Sequence, residues 1–274
     1  MNDLNGKIAV VTGASRGLGR RIAVRLAQEG AAVALVARGE AGLEVTRQQI
    51  AGMGARVLSV PADLSNPESV RHVKGVIESD LGIPSILVNA AGVFGPIDLI
   101  KDGDPAAWIE TIMINTVSAY LTSRAFVGGM IEGGWGRIVN VTSAAALHEP
   151  GPANSAYGTS KAALNQFTRH LASELKGTGV TANVIHPGDV KTDMWAQIKA
   201  GAERLGRVAE GYTKWADWVE ETGGDDPEKA ADLVGALMKD DAAGINGRFL
   251  WIKDGLQSPI PSWGEPVELQ PWQK

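Results

Sequence analysis

The 274-residue chain has no cysteine. Disulfides, thiol nucleophiles and cysteine-held metals are therefore excluded, and the absence fits a reducing compartment. Positive charge is not in excess. Lysine and arginine number 26 against 31 aspartate and glutamate, a net charge of −5, so a nucleic-acid-binding surface is not expected. No apolar run approaches the ~20 residues that cross a bilayer. The opening stretch, MNDLNGKIAVVTG, lacks the basic head and long apolar core of a secretory signal, so a cytoplasmic protein without membrane contact is expected. The four histidines, His72, His148, His170 and His186, show no HxxxH or similar spacing, and no metal is expected.

What is present is enough to build a core: 44% of residues are hydrophobic and 21% charged. The short apolar runs KIAVVT (7–12), AAVALVA (31–37), RVLSV (56–60), SILVN (85–89), RIVNV (137–141), VTANVI (180–185) and RFLWI (248–252) read as seven strands. Helical patterns alternate with them. Leu18, Ile22 and Leu26 fall at spacings of four, and Gly30 stands where that helix should stop. Ser65 and Glu68 have capping-box spacing with Pro67 in the first turn. A helical stretch is expected around 105–131, a long helix over about 155–176, and another opening at DDPEKAADLVGAL. Strands that are continuously apolar are covered on both faces. The pattern predicts an α/β fold of the Rossmann type: a doubly wound, seven-stranded parallel sheet flanked by helices on both faces. No linker or repeat divides the chain, so residues 1–274 are expected to form one domain. Residues 192–222, with Trp195, Trp215 and Trp218, are core helices or a lid over the substrate, and 256–274 form a proline-rich tail.

After the first strand comes TGASRGLG, with Gly13, Gly17 and Gly19 before an amphipathic helix. Glycine permits a tight reversal, and bare backbone N–H groups at a helix N-terminus suit a pyrophosphate. The context of strand, turn and helix makes the signal much stronger than the glycines alone.

The spacing is GxxxGxG. Together with NAAG at 89–92, Ser143 and YGTSK at 157–161, it closely resembles the short-chain dehydrogenases/reductases, in their shorter single-domain branch, over about residues 5–255. The resemblance implies a nicotinamide cofactor held by Gly13, Ser15, Arg16, Gly17, Leu18 and Gly19 of the turn. It adds Asp63 and Leu64 after the third strand, and Asn89, Ala90, Ala91 and Gly92 after the fourth. Asp63 would bond the adenine amino group or simply tie its own turn. Pro187, Gly188, Val190 and Thr192 match the segment that shapes the nicotinamide pocket, although Thr192 also reads as a helix N-cap. Arg16 and Arg38, with no carboxylate at the end of the second strand, favour the 2′-phosphate of NADP(H), with NAD(H) possible.

Asn115, Ser143, Tyr157 and Lys161 match the family's reacting tetrad. Hydride transfer to a carbonyl leaves an alkoxide that needs a proton. Tyr157 would supply it as general acid and take it back in oxidation, and Lys161, one turn on, would lower the phenol's pKa. Ser143 would hold the substrate oxygen. By the family pattern Lys161 also bonds the nicotinamide ribose, while Asn115 would hold a water linking Lys161 to solvent. Substrate contacts are expected from Ser143, Ala145, His148, Tyr157, Met194 and Trp195. The expected function is NADP(H)-dependent interconversion of a ketone and a secondary alcohol. The rivals are reduction of a 3-oxoacyl thioester, which would ask for a basic pocket mouth, and a non-catalytic dinucleotide sensor. A sugar-nucleotide epimerase fits less well, because that longer branch has GxxGxxG spacing. Family members pair as homodimers or homotetramers, partly through the helices carrying Asn115 and Tyr157. The family's DGG after the last strand is here Asp254, Gly255 and Leu256, a departure bearing on those contacts.

Overall fold

The computed structural model describes residues 4–147 and 150–252. Strands β1 (Ile8–Thr12), β2 (Ala32–Ala37) and β3 (Val57–Pro61) alternate with helices α1 (Gly17–Gln28), α2 (Glu40–Ala51) and α3 (Pro67–Asp80). Strand β4 (Ile86–Asn89) leads to α4 (Pro105–Ile112), a π turn over Met113–Val117, and α5 (Ser118–Glu132). Then come β5 (Gly136–Val141), α6 (Ser155–Glu174) and β6 (Val180–His186). Helices α7 (Asp193–Leu205), α8 (Glu210–Thr222) and α9 (Glu228–Leu237) precede β7 (Phe249–Trp251). The seven strands form one parallel sheet in the order β3-β2-β1-β4-β5-β6-β7, as the alternating pattern predicted. Successive strand residues point to opposite faces. Val11, Leu35, Val88 and Val139 pack with α1, α2 and α9. Val10, Val36, Leu87 and Ile138 pack with α3, α5 and α6. Chain order reverses between β1 and β4, and a sheet of this kind opens its ligand crevice at that point, beyond the carboxyl ends of the strands.

Two local expectations change. Helix α3 is capped by Asn66, whose side chain accepts from the Glu68 N–H at 2.8 Å. Ser65 turns back instead, donating its N–H and hydroxyl to Asp63 Oδ1 at 3.0 and 2.8 Å. Either residue type can cap, and the Asp63 turn claims the serine. The stretch 105–131 is two α-helices joined by the π turn, in which the Ser118 N–H reaches back to the Met113 carbonyl. The expected long helix over 155–176 is α6, which ends at Glu174, with Leu164 and Leu171 buried in the core and Phe167 meeting Tyr120 edge-on at 5.9 Å. Gly30 ends α1 as expected, with φ +99°. No helix among the described residues is long and apolar enough to cross a membrane. The proline-rich tail lies outside the described residues.

Candidate active site

A cleft of about 1120 Å³ runs along the carboxyl edge of the sheet, from Arg38 and Asp63 at one end to Tyr212 and Trp215 at the other. The glycine turn makes its floor. Gly13 has φ +67°, and a Cβ there would lie 2.8 Å from the Ala91 backbone; one on Gly19 would lie 2.3 Å from the Gly13 carbonyl oxygen. These two glycines let the turn close on its neighbours. Gly17, at φ +54°, has nothing within 4 Å of its would-be Cβ and leaves the N-terminus of α1 open to the cleft. The turn is braced from behind, where Thr46 donates to the Ala14 carbonyl at 2.9 Å and Arg20 donates to the Ser15 carbonyl. An open helix N-terminus beside bare backbone fits a dinucleotide's pyrophosphate.

Ser15, Arg16, Leu18, Arg38, Asp63, Leu64, Ala90 and Gly92 line the cleft where the sequence placed them, as do Pro187, Gly188, Val190 and Thr192. Asn89 does not. It is buried beneath the cleft in a hydrogen-bonded chain: Thr122 donates to Asn89, Asn89 to Asn140, and Asn140 to Thr168, each at 2.8 Å. A network satisfied at every member stitches β4 and β5 to α5 and α6. Its part is to steady the sheet. Asp63 makes the local turn bonds while still facing the cleft, and the Ser65 donors hold its carboxyl below the usual range. Thr192 likewise does both, capping α7 by accepting from the Trp195 N–H at 3.4 Å. At the cleft mouth Arg16 pairs with Asp193 at 2.8 Å, and Arg38 lies 3.8 Å from Glu110; all four side chains are exposed.

The four side chains of the expected tetrad come together. Ser143 follows β5, and its Oγ accepts from the Ala145 N–H at 3.2 Å and lies near the Tyr157 hydroxyl. Tyr157 is buried in the first turn of α6, its ring stacked on Phe94 at 4.6 Å. Lys161 is also buried and donates from Nζ to the Val141 carbonyl at 2.8 Å. Burial pushes the lysine down to about 8. It also pushes the Tyr157 phenol up to about 12, against the opposing effect of the nearby Ser143 hydroxyl and with Tyr212 and Asp189 adding to the rise. The expected depression of the phenol is thus reversed in the ligand-free chain. Lys161 Nζ lies 5.6 Å from the ring centroid and bonds a carbonyl, so its charge does not offset desolvation. Asn115 differs as well. It is buried in the π turn behind the cleft, with Oδ1 accepting from the Val93 N–H and Nδ2 donating to the Val93 carbonyl, both at 2.8 Å. Its second amide hydrogen goes to Ser160 Oγ at 2.9 Å. Both amide hydrogens are committed, so the side chain clamps the loop after β4. The π turn inserts the extra residue that aims Asn115 at that loop, a common use of such turns.

Residues 192–222 form α7 and α8 at one end of the cleft. Of the residues expected to touch substrate, Met194, Trp195 and Ala145 line the cleft; His148 lies outside the described residues. Trp195 donates from Nε1 to the Ala216 carbonyl at 3.0 Å, which ties the two helices together, while Trp218 is exposed. Four residues here had no individual role in the sequence reading, although Phe94 and Tyr212 fall in segments, 93–98 and 192–220, expected to supply the substrate pocket. Thr12 accepts the N–H groups of Ala90 and Ala91 at 3.1 Å each, fixing the loop after β4 to the glycine turn. Phe94 and Tyr212 meet edge-on at 5.9 Å and wall the space beside Tyr157. His186, at the end of β6, meets Trp251 edge-on at 4.5 Å and accepts the Ala144 N–H at Nδ1, 3.2 Å away. Thr12 had a sequence signal of its own, its place directly before Gly13. Among the described residues no group of three His, Asp or Glu side chains is placed to hold a metal.

This geometry has known counterparts. A model of the short chain dehydrogenase family matches residues 7–203. A 3-oxoacyl-[acyl-carrier-protein] reductase of Pseudomonas aeruginosa is 34% identical over 92% of this chain and 98% of that protein. Among solved structures, NAD⁺-bound xylitol dehydrogenase matches with TM-score 0.83 and 28% identity, covering 91% of this chain and 98% of its own. L-sorbose reductase from Gluconobacter frateurii, complexed with NADPH and L-sorbose, matches with TM-score 0.81 and 29% identity, covering 93% and 98%. The chain belongs to the short-chain dehydrogenase family. It is an oxidoreductase that acts on CH–OH or C=O groups of a small molecule with a nicotinamide dinucleotide.

Proposed function

We propose that the protein interconverts a ketone and a secondary alcohol with NADP(H), with Tyr157 as the general acid of reduction and general base of oxidation. The observation that carries this reading is the convergence of Ser143, Tyr157 and Lys161 at one end of a dinucleotide cleft. The bound nicotinamide supplies the hydride. Tyr157 stays protonated through the neutral range, as an acid for an alkoxide must. Ser143 stands beside the phenol, and its one hydroxyl hydrogen can turn to the substrate oxygen. Lys161 is the ammonium placed behind the phenol, ready to restore its proton.

Lys161 titrates first, near 8. Its protonated form lies below that pH, and reduction needs the protonated pair. Ketone reduction should therefore be level below about pH 8 and fall above it, whereas alcohol oxidation should rise with pH. Profiles of kcat/KM in both directions test this. A reduction rate that climbs through pH 9 counts against Lys161 as the proton source.

Arg16 and Arg38 support NADP(H). They line the adenosine end of the cleft, where β2 ends in Ala37 and is followed in sequence by Arg38 in place of a carboxylate. Each guanidinium carries five donors, so the contacts to Asp193 and Glu110 leave several for a phosphate. Replacing both by alanine should weaken NADPH about 30-fold or more and NADH far less, since charge-assisted bonds contribute about 1.5–3 kcal/mol each. Titration of both reduced cofactors reads this out, and equal losses would refute the preference.

The 3-oxoacyl reading is supported by several relatives with that activity in their names, the one from Pseudomonas aeruginosa among them. The cleft mouth does not favour it. Among the described residues, Lys199 is paired with Asp217 and Glu220, Arg204 with Asp98, and Arg16 with Asp193, so these three cations are engaged rather than free for an acidic carrier.

A further inference from the structure

Asn154 stands at the N-cap position of α6, three residues before Tyr157, and lines the cleft. Asparagine is among the best N-caps because its side-chain oxygen accepts a free backbone N–H, which stabilises a helix by about 1 kcal/mol. Here it makes no such bond. Its amide lies near the Tyr212 hydroxyl on α8, and its Oδ1 is buried with no hydrogen-bond partner. The preceding Ala153 holds φ +66°, a left-handed value that is the exception among the described non-glycine residues. Backbone strain and an unmet buried acceptor each cost about 1–3 kcal/mol, and both tend to persist where function requires them.

The surroundings say what the acceptor meets. Phe94, Tyr157 and Tyr212 form an apolar wall. Asp189 lies at the same end, with Oδ1 accepting from Trp215 Nε1 at 3.0 Å. Apart from Lys161, no lysine or arginine lines this end of the cleft among the described residues. A carboxylate or phosphate on the substrate would find only Lys161 as a cation here, with Asp189 close by. A hydroxyl finds an acceptor.

We propose that Asn154 is a specificity-determining residue, whose Oδ1 accepts a hydrogen bond from a hydroxyl near the carbonyl of an uncharged hydroxy ketone. This rests on the ketone–alcohol reading above. An acceptor left unpaired by the wrong substrate discriminates by about 10- to 100-fold.

The test compares kcat/KM for matched ketones with and without the hydroxyl: phenacyl alcohol against acetophenone, and β-hydroxypropiophenone against propiophenone. Wild type should prefer the hydroxyl-bearing member of at least one pair by about 10-fold or more. Asn154→Leu should bring that ratio near unity, and Asn154→Asp, which keeps an acceptor, should retain it. Thermal melts establish that each variant is folded. A residue that merely supports the helix would lower both rates and leave the ratio intact, which overturns the proposal. So does a wild type that reduces ketones without preference, or a preference that survives Asn154→Leu. If wild type reduces no ketone of either kind, the ketone–alcohol reading itself fails and this proposal falls with it.

Discussion

Tyr157→Phe is expected to lower turnover by about a hundred- to ten-thousand-fold, the usual contribution of a positioned acid, while leaving fold and cofactor binding intact. The ring should keep its stack on Phe94, because only the hydroxyl is removed. What is lost is the polar contact with Ser143, worth at most about 1 kcal/mol. The melting temperature should therefore move by a few degrees at most, and NADPH affinity should stay within a few fold. Steady-state rates, a cofactor titration and a thermal melt on the same preparation separate the three effects. Turnover above a tenth of wild type would show that another group delivers the proton. The high phenol pKa sharpens the expectation, since a phenol held near 12 is protonated throughout the neutral range and is a ready donor.

Lys161→Met should also abolish turnover, yet raise stability. Burial holds the lysine near 8, well below its ordinary value, so at neutral pH the fold carries a desolvated ammonium. Below about 8 the lysine is charged in both folded and unfolded chains and the cost is fully present. As pH rises above 8 the folded chain sheds its proton before the unfolded one, and the cost is relieved. Methionine fills similar space without charge. It forfeits the bond to the Val141 carbonyl, which offsets part of the gain. A net gain of about 1–2 kcal/mol at pH 7 corresponds to several degrees in Tm for a chain of this size. The gain should shrink as pH approaches 10. A variant less stable than wild type at neutral pH would mean that the ammonium is solvated or paired in the folded protein. An active site that is destabilised to hold its charges is a common trade between stability and activity.

The parts legible in the sequence are those that sit in short contiguous stretches at strand ends. Gly13, Gly17 and Gly19 follow an unbroken apolar run, and Ser143 follows another. Tyr157 and Lys161 stand one helical turn apart. Each motif is locally complete, so its place in the sheet follows once the strand is recognised. The π turn was not legible, because apolar periodicity over 105–131 barely registers a single inserted residue. The rise in the Tyr157 phenol pKa was hidden for a different reason. It comes from burial by Phe94 and Tyr212, which arrive from the loop after β4 and from α8. The capping of α3 by Asn66 in place of Ser65 turned on two adjacent residues of similar chemistry, decided by the Asp63 turn. Asn89 and Asn115 carried a motif's identity but not their contacts. Both are buried and bonded to side chains or backbone from other strands and helices. The Asn154–Tyr212 pair likewise joins segments that only the folded chain brings together.

The central claim is that this cleft reduces ketones with NADPH through Tyr157. The most direct measurement is NADPH oxidation by the purified protein against a panel of ketones, run beside NADH and beside Tyr157→Phe. The expected result is ketone-dependent oxidation that prefers NADPH and nearly vanishes in the variant. Oxidation that persists in Tyr157→Phe, or that runs equally well with NADH, would contradict it.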